Sequence, residues 1–153
     1  MKRFGVSIFI LIFMLGTSEI FASGDRVSLG YIYNSSKSHT EIINDTKGNI
    51  NTVSPTCFDL TIDGHLFINN IFDQDFVNNM HEQNVLVTPF LSNHWGRQKA
   101  QAALEKPEIL ADEVVGAINQ YNLDGVNIDL ENLPVKDKDK LTNFVNLIKL
   151  ASL

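Results

Sequence analysis

Apolar and polar positions along the chain form short blocks that predict strands and helices in alternation. Four runs rich in β-branched and aromatic residues, a composition typical of strands, lie at 27–33, 50–60, 84–91 and 126–130. Residues with helical spacing of apolar positions lie at 73–83, from Pro107 to about Tyr121, and from Asp137 onward, and a shorter helix is predicted over 38–45. Asp63-Gly64 predicts a turn, and the polar, alanine-rich stretch 97–105 precedes the helix at Pro107.

The predicted order is strand, helix, four times over. Parallel neighbours need long crossover connections, which are usually helical. The order therefore predicts an α/β fold with a parallel sheet.

The N-terminus is typical of an export signal. Lys2 and Arg3 precede an apolar run over 4–15 and a small-residue tail. We predict a signal peptide over 1–22 with cleavage near Ala22, and a single domain over 23–153. The run is shorter than the ~20 apolar residues that span a bilayer. We therefore expect a secreted or cell-envelope protein with no stable membrane insertion after cleavage.

Charge and cysteine content exclude several classes of function. The 153 residues carry a net charge of −6, whereas nucleic-acid binding relies on a surplus of Lys and Arg. Cys57 is the single cysteine, which excludes an internal disulfide and any CxxC metal or redox motif. We predict that Cys57 is a small buried apolar residue, and that the four histidines lie on the surface without metal-ligand spacing.

The residues with the most informative chemistry lie in and around the fourth predicted strand, in the stretch Asp124-Gly125-Val126-Asn127-Ile128-Asp129-Leu130-Glu131. Because side chains alternate along a strand, Asn127, Asp129 and Glu131 share one face. Burying an amide and two carboxylates is costly unless they are paired or used. An Asp–Glu pair that shares a proton is one way to make a general acid at neutral pH.

Spacing alone leaves an alternative open. An antiparallel hairpin with acids on a solvent-exposed face gives the same alternation. A calcium loop is disfavoured, because the EF-hand pattern requires glycine at its sixth position, which this stretch lacks. The strand–helix context favours a catalytic row.

This stretch resembles the DGxDxDxE signature of glycoside hydrolase family 18, the chitinase-like (β/α)8 barrels, in which the signature also lies on the fourth strand. Further matches resemble the bacterial branch of spore-cortex and cell-wall N-acetylglucosaminidases. They are Gly30-Tyr31, 51–55 with Phe58, Asp63-Gly64, Leu66, and 89–93. The resemblance runs from about Val27 to Leu153.

The resemblance implies substrate-assisted hydrolysis with retention of configuration, an exception to the scheme with two protein carboxylates. Glu131 would be the general acid, and Asp129 would orient the substrate's acetamido group and hydrogen-bond Glu131. Asn127 completes the row, at a position where many chitinases have Asp. The substrate would be an N-acetylglucosamine-containing polysaccharide, either peptidoglycan or chitin, and no cofactor or metal is needed.

The chain supplies four of the eight units of such a barrel, which takes about 250 residues. We therefore expect the N-terminal half of a (β/α)8 TIM barrel, that is, a fragment of a longer enzyme. The segment 91–94 also departs from the chitinase pattern.

Other candidates follow from position. Four side chains lie at or just after predicted strand ends, where barrel active sites are built, and they are candidates for substrate binding: Tyr31, Phe58, Asn93 and Trp95. For each of them, packing in the core or in a loop is the alternative. Asp124 and Gly125 are predicted to have structural roles at the start of the fourth strand. Two alternatives to a glycosidase remain: a non-catalytic chitinase-like carbohydrate-binding protein, although such proteins usually lose the acid, and an inactive truncated remnant.

Overall fold

The computed structural model describes residues 26–151. The predicted signal peptide lies outside the described residues, so it stays a prediction. Seven strands are present in the described chain: β1 Leu29–Ile32, β2 Thr52–Pro55, β3 Phe58–Leu60, β4 Leu66–Ile68, β5 Leu86–Val87, β6 Phe90–Ser92 and β7 Asn127–Asp129. The helices are α1 His39–Asn44, α2 Gln74–Glu82, α3 Arg97–Glu105, α4 Pro107–Tyr121 and α5 Lys138–Ala151, with a 3-10 turn at Val135–Asp137.

The parallel pairing predicted from the sequence is confirmed, although the strands are divided between two sheets. One sheet has the order β1-β2-β5, and the other has the order β4-β3-β6-β7. All pairs are parallel except the β3–β4 hairpin. Within the described residues, β1 pairs only with β2 and β7 pairs only with β6. The α/β class is therefore established, and the described strands do not close into a barrel.

Two predicted strands are each divided in two, and proline is part of the reason. The second run splits into β2 and β3 around Thr56-Cys57, directly after Pro55. The third splits into β5 and β6 at Thr88-Pro89. Proline has no N–H to donate to a sheet ladder, which favours an interruption at these points.

The sequence did not predict the strand β4. The strand β4 pairs antiparallel with β3, and the predicted Asp63-Gly64 turn connects the two strands. Gly64 has φ of +88°, and a Cβ built on it would lie 2.6 Å from the Cα of Ala103 in α3. Only glycine fits this conformation and this close approach of two backbone segments.

Helix boundaries agree with the sequence within one or two residues. Ser38 caps α1 by accepting from the Glu41 N–H, and Asp73 caps α2 by accepting from the Asp75 and Phe76 N–H groups. Helix α4 begins at Pro107, as predicted. The polar, alanine-rich stretch 97–105 forms α3, a helix that its sequence pattern does not predict, and buries Ala100, Ala103 and Leu104.

The core lies between the sheets and the helices that cover them. Fully buried side chains come from strands, including Val53, Phe58 and Leu91, and from helices, including Val114 and Phe144. Cys57 is buried as predicted, and burial raises the pKa of its thiol to about 12. Among the described residues, no helix combines the length and the apolar character that crossing a bilayer requires.

Three of the four histidines lie within hydrogen-bond distance of a carboxylate, which the sequence did not indicate. His65, His81 and His94 pair with Glu113, Asp124 and Asp59 respectively. Glu113 also accepts from the Leu66 N–H at 2.8 Å. Its carboxylate therefore joins α4 to the start of β4 through two donors.

The His65–Glu113 pair predicts a pH-dependent contribution to stability. The Glu113 hydrogen bond, and secondly its charge, raise the pKa of His65. Stability from this pair is therefore fully present below the unfolded-state value of about 6.5 and is lost as the pH rises through the folded-state pKa. Glu113→Gln should lower the unfolding free energy more at about pH 5.5 than at about pH 9.

Urea unfolding at both pH values checks this expectation. Asp112→Asn is the matched control, because it removes an exposed carboxylate from the same helix. An equal loss of stability at both pH values in Glu113→Gln would contradict the linkage.

Candidate active site

The strand β7 presents the first two residues of the predicted row. Asn127 and Asp129 lie on one face, opposite Phe90 and Ser92 of β6 in the parallel register. The strand ends at Asp129, so Glu131 lies two residues beyond it. All three row residues are partly buried.

Asn127 acts as a hydrogen-bond donor across three strands. Its Nδ2 donates to the Tyr31 hydroxyl at 3.2 Å and to Ser54 Oγ at 3.3 Å. Ser54 Oγ in turn donates to the Thr88 carbonyl at 2.8 Å, which leaves only its lone pairs for Asn127. A carboxylate at position 127 has no hydrogen to donate, so this arrangement gives a local reason for the amide.

A row of polar residues on three neighbouring strands includes Asp129. The register places Asp59, Ser92 and Asp129 side by side on β3, β6 and β7. Asp59 Oδ1 lies 2.6 Å from His94 Nε2, and Asp59 Oδ2 accepts from Asn69 Nδ2 at 2.9 Å. Sequence reasoning missed Asp59 and His94, although the polar Asp59 between apolar Phe58 and Leu60 is a signal of alternating faces.

The backbone of Glu131 is held by one side chain. Its N–H donates to Asn93 Oδ1 at 2.8 Å, and its carbonyl accepts from Asn93 Nδ2 at 3.0 Å. Asn93 is fully buried. The prediction that Asn93 binds substrate is therefore corrected: its amide contacts the protein backbone and has no open surface.

The four predicted substrate-binding residues differ sharply in exposure. Phe58 is 0% exposed, because its position opposite Leu91 places it in the core, so the prediction that it contacts substrate is wrong. Tyr31 is 49% and Trp95 is 68% exposed. The Tyr31 ring also packs edge to face on Phe90 with a centroid distance of 5.4 Å.

Asp124 and Gly125 lie directly before β7, and Asp124 bonds to the end of β5. Asp124 Oδ2 accepts from the Val87 N–H at 2.7 Å and lies 2.8 Å from His81 Nε2. Gly125 adopts a φ of +151°, which favours glycine. These contacts agree with the structural roles expected for both residues.

The expected Asp129–Glu131 hydrogen bond is not formed within the described part of the chain. Glu131 lies beyond the strand end, where Asn93 fixes its backbone and Asn132 turns the chain with φ of +57°. Residues 26–151 also contain no cluster of three or more His, Cys, Asp or Glu that could hold a metal ion. The expectation of a metal-free reaction stays a prediction.

Comparison with known proteins finds similarity in structure alone. No family model and no curated protein sequence matches the chain. A chitinase from Chromobacterium violaceum matches with a TM-score of 0.71 at 16% identity over 82% of this chain and 41% of its own. A chitinase from Bacteroides thetaiotaomicron matches with a TM-score of 0.68 at 22% identity over 84% and 43%.

The spore cortex-lytic enzyme SleL of Bacillus megaterium matches with a TM-score of 0.67 at 18% identity, over 82% of this chain and 32% of its own. The chain therefore spans less than half the length of these neighbours. Each superposes on more than four fifths of this chain with a TM-score of 0.67 or higher, which agrees with the fold expected from the signature. The described chain therefore has the fold of the matching part of these chitinases and of the spore cortex-lytic enzyme.

Proposed function

We propose that this chain is the part of a chitinase-type glycosidase that contains the catalytic acid, Glu131. The enzyme would cleave β-1,4 bonds in N-acetylglucosamine-containing glycans. One observation carries the proposal: the Asp124–Glu131 signature contains the strand β7, which pairs in parallel with β6 in a fold like that of chitinases. The strands β1, β2–β3, β5–β6 and β7 would then be the first four of a (β/α)8 barrel. Within residues 26–151, β1 pairs only with β2 and β7 only with β6, which supports this because barrel strands pair on both sides.

In the proposed mechanism, Glu131 protonates the glycosidic oxygen as the bond to the anomeric carbon breaks. The carbonyl oxygen of the substrate's own acetamido group attacks that carbon and gives an oxazolinium ion. Water then attacks the anomeric carbon, the bond from that carbon to the acetamido oxygen breaks, and a proton of the water passes to Glu131. The anomeric carbon is inverted twice, so its configuration is retained. Asp129 orients the acetamido group and stabilises its positive charge, and Asn127 supports the row through Tyr31 and Ser54.

We also propose that the protein is exported and acts on a glycan outside the cytoplasm. The charged and apolar pattern of 1–22 supports export. The names of the structural neighbours include chitinases and a spore cortex-lytic enzyme, which supports chitin or peptidoglycan as the substrate class.

Incubation of the protein, as its gene encodes it, with chitin oligomers and with purified peptidoglycan tests the proposal. Mass spectrometry should show cleavage next to N-acetylglucosamine in at least one of the two. Binding without cleavage would instead favour a non-catalytic carbohydrate-binding protein. Neither binding nor cleavage would reject the proposed function.

A further inference from the structure

The loop after β6 has an unusual backbone next to the candidate site. His94 and Trp95 are consecutive residues with positive φ, +46° and +61°. Such conformations are strained for residues other than glycine and persist only where the surroundings fix them. The loop also presents the Trp95 side chain, which is 68% exposed.

Several hydrogen bonds hold this strained loop against the sheet. The His94 N–H donates to Ser92 Oγ at 3.0 Å, and His94 Nε2 lies 2.6 Å from Asp59 Oδ1. The Gly96 N–H donates to the Asn93 carbonyl at 2.8 Å. The conformation is thus fixed by groups on β3 and β6 as well as by the turn itself.

The same loop is tied to the chain around Glu131. Asn93 bonds both backbone groups of Glu131. Arg97 donates from Nε to the Asn132 carbonyl at 2.9 Å and from Nη2 to Asn132 Oδ1 at 2.8 Å. Asn132 Nδ2 returns a bond to the Trp95 carbonyl at 3.2 Å. These five bonds join two loops that lie 35 to 38 residues apart in sequence.

We propose that Asn93 and Arg97 are positioning residues that hold the Glu131 backbone and Trp95 in one pre-assembled unit. The exposed indole offers a flat apolar face to the C–H face of a sugar ring, and its fixed loop reduces the entropy lost on binding. This inference rests on the proposed function, because it assigns the sugar to the site that contains Glu131. Glu131 is the catalytic group, and Asn93 and Arg97 act through the backbone.

Trp95 is the single tryptophan in the sequence, so intrinsic fluorescence reports on this loop directly. The test uses the full chain and the N-acetylglucosamine tetramer as the probe. Arg97→Gln removes the paired donation from an exposed position, and Lys99→Gln on the same helix is the matched control. Asn93→Asp is a second variant that keeps the acceptor for the Glu131 N–H and removes the donor to its carbonyl.

In Arg97→Gln, we expect a lower Trp95 anisotropy without sugar and roughly tenfold faster hydrogen exchange at the Glu131 amide, because charge-assisted bonds to the loop are lost. Affinity for the tetramer should fall by about fivefold or more, since the platform must now be ordered on binding. Asn93→Asp should also speed exchange at Glu131. Lys99→Gln should leave all three quantities unchanged.

Unchanged exchange and anisotropy in Arg97→Gln would overturn the positioning role. Faster exchange with unchanged affinity would overturn the link between positioning and sugar binding. Hydrogen exchange at the backbone amides of β2 and α4, which lie in the core, distinguishes a local effect from loss of the fold. Exchange that is accelerated equally at these amides and at Glu131 would also overturn the proposal. If the wild-type chain binds no tetramer, the sugar-binding part fails together with the proposed function, while exchange and anisotropy still decide the positioning role.

Discussion

Replacing Glu131 with glutamine should lower cleavage of N-acetylglucosamine oligomers by about 10²–10⁴-fold, which is the usual contribution of a general acid. Glutamine keeps the shape of the side chain and has no carboxyl proton to give to the leaving oxygen. The Asn93 bonds go to the backbone of residue 131, so the substitution should leave the loop in place. Steady-state rates of cleavage by the whole gene product measure the effect.

Two further variants make this prediction specific. Asp129→Asn should also reduce the rate severely, because the proposed mechanism needs a charge beside the acetamido group. Glu108→Gln is the matched control, because it removes an exposed carboxylate from α4 and should leave the rate unchanged. A Glu131→Gln rate within tenfold of wild type would reject Glu131 as the acid.

The second large effect concerns the fold. Gly64→Ala should lower the unfolding free energy by roughly 2–5 kcal/mol, combining about 1–2 kcal/mol for a side chain at positive φ with about 1–3 kcal/mol for overpacking. The added methyl group would meet the backbone of Ala102 and Ala103 in α3. Backbone atoms of a packed helix cannot move aside as a flexible side chain can.

Gly48→Ala is the matched control for Gly64→Ala. Gly48 also has a positive φ, +78°, and an added Cβ meets nothing within 4 Å. It should therefore lose only the backbone part, about 1–2 kcal/mol. Urea unfolding of both variants measures the difference, and equal losses would show that the contact between the hairpin turn and α3 is not tight.

Periodicity predicted the elements whose apolar residues repeat clearly. Helix α4 is predicted from its proline start and from the helical spacing of its apolar residues, and the structure buries two of these, Leu110 and Val114. Periodicity failed where the segment was short or weakly apolar. Strand β4 has only three residues, and α3 buries mainly alanines, so neither carries a strong pattern.

The candidate site was predicted to the extent that it lies within one strand. Alternation correctly placed Asn127 and Asp129 on one face of β7. It did not reveal the Asn93 bonds to Glu131 or the Asp59–His94 pair, because these join residues 35 or more positions apart. Position at a strand end was also a weak guide, since Phe58 follows the register into the core.

The acetamido requirement tests the central claim most directly. In the proposed mechanism the attacking oxygen belongs to the substrate, so the sugar must carry an N-acetyl group at the cleaved bond. The measurement compares cleavage of the N-acetylglucosamine tetramer with cleavage of its fully deacetylated form by the protein as its gene encodes it. We predict cleavage of the acetylated tetramer with retained anomeric configuration and no cleavage of the deacetylated one. Equal cleavage of both would contradict substrate-assisted catalysis at this site.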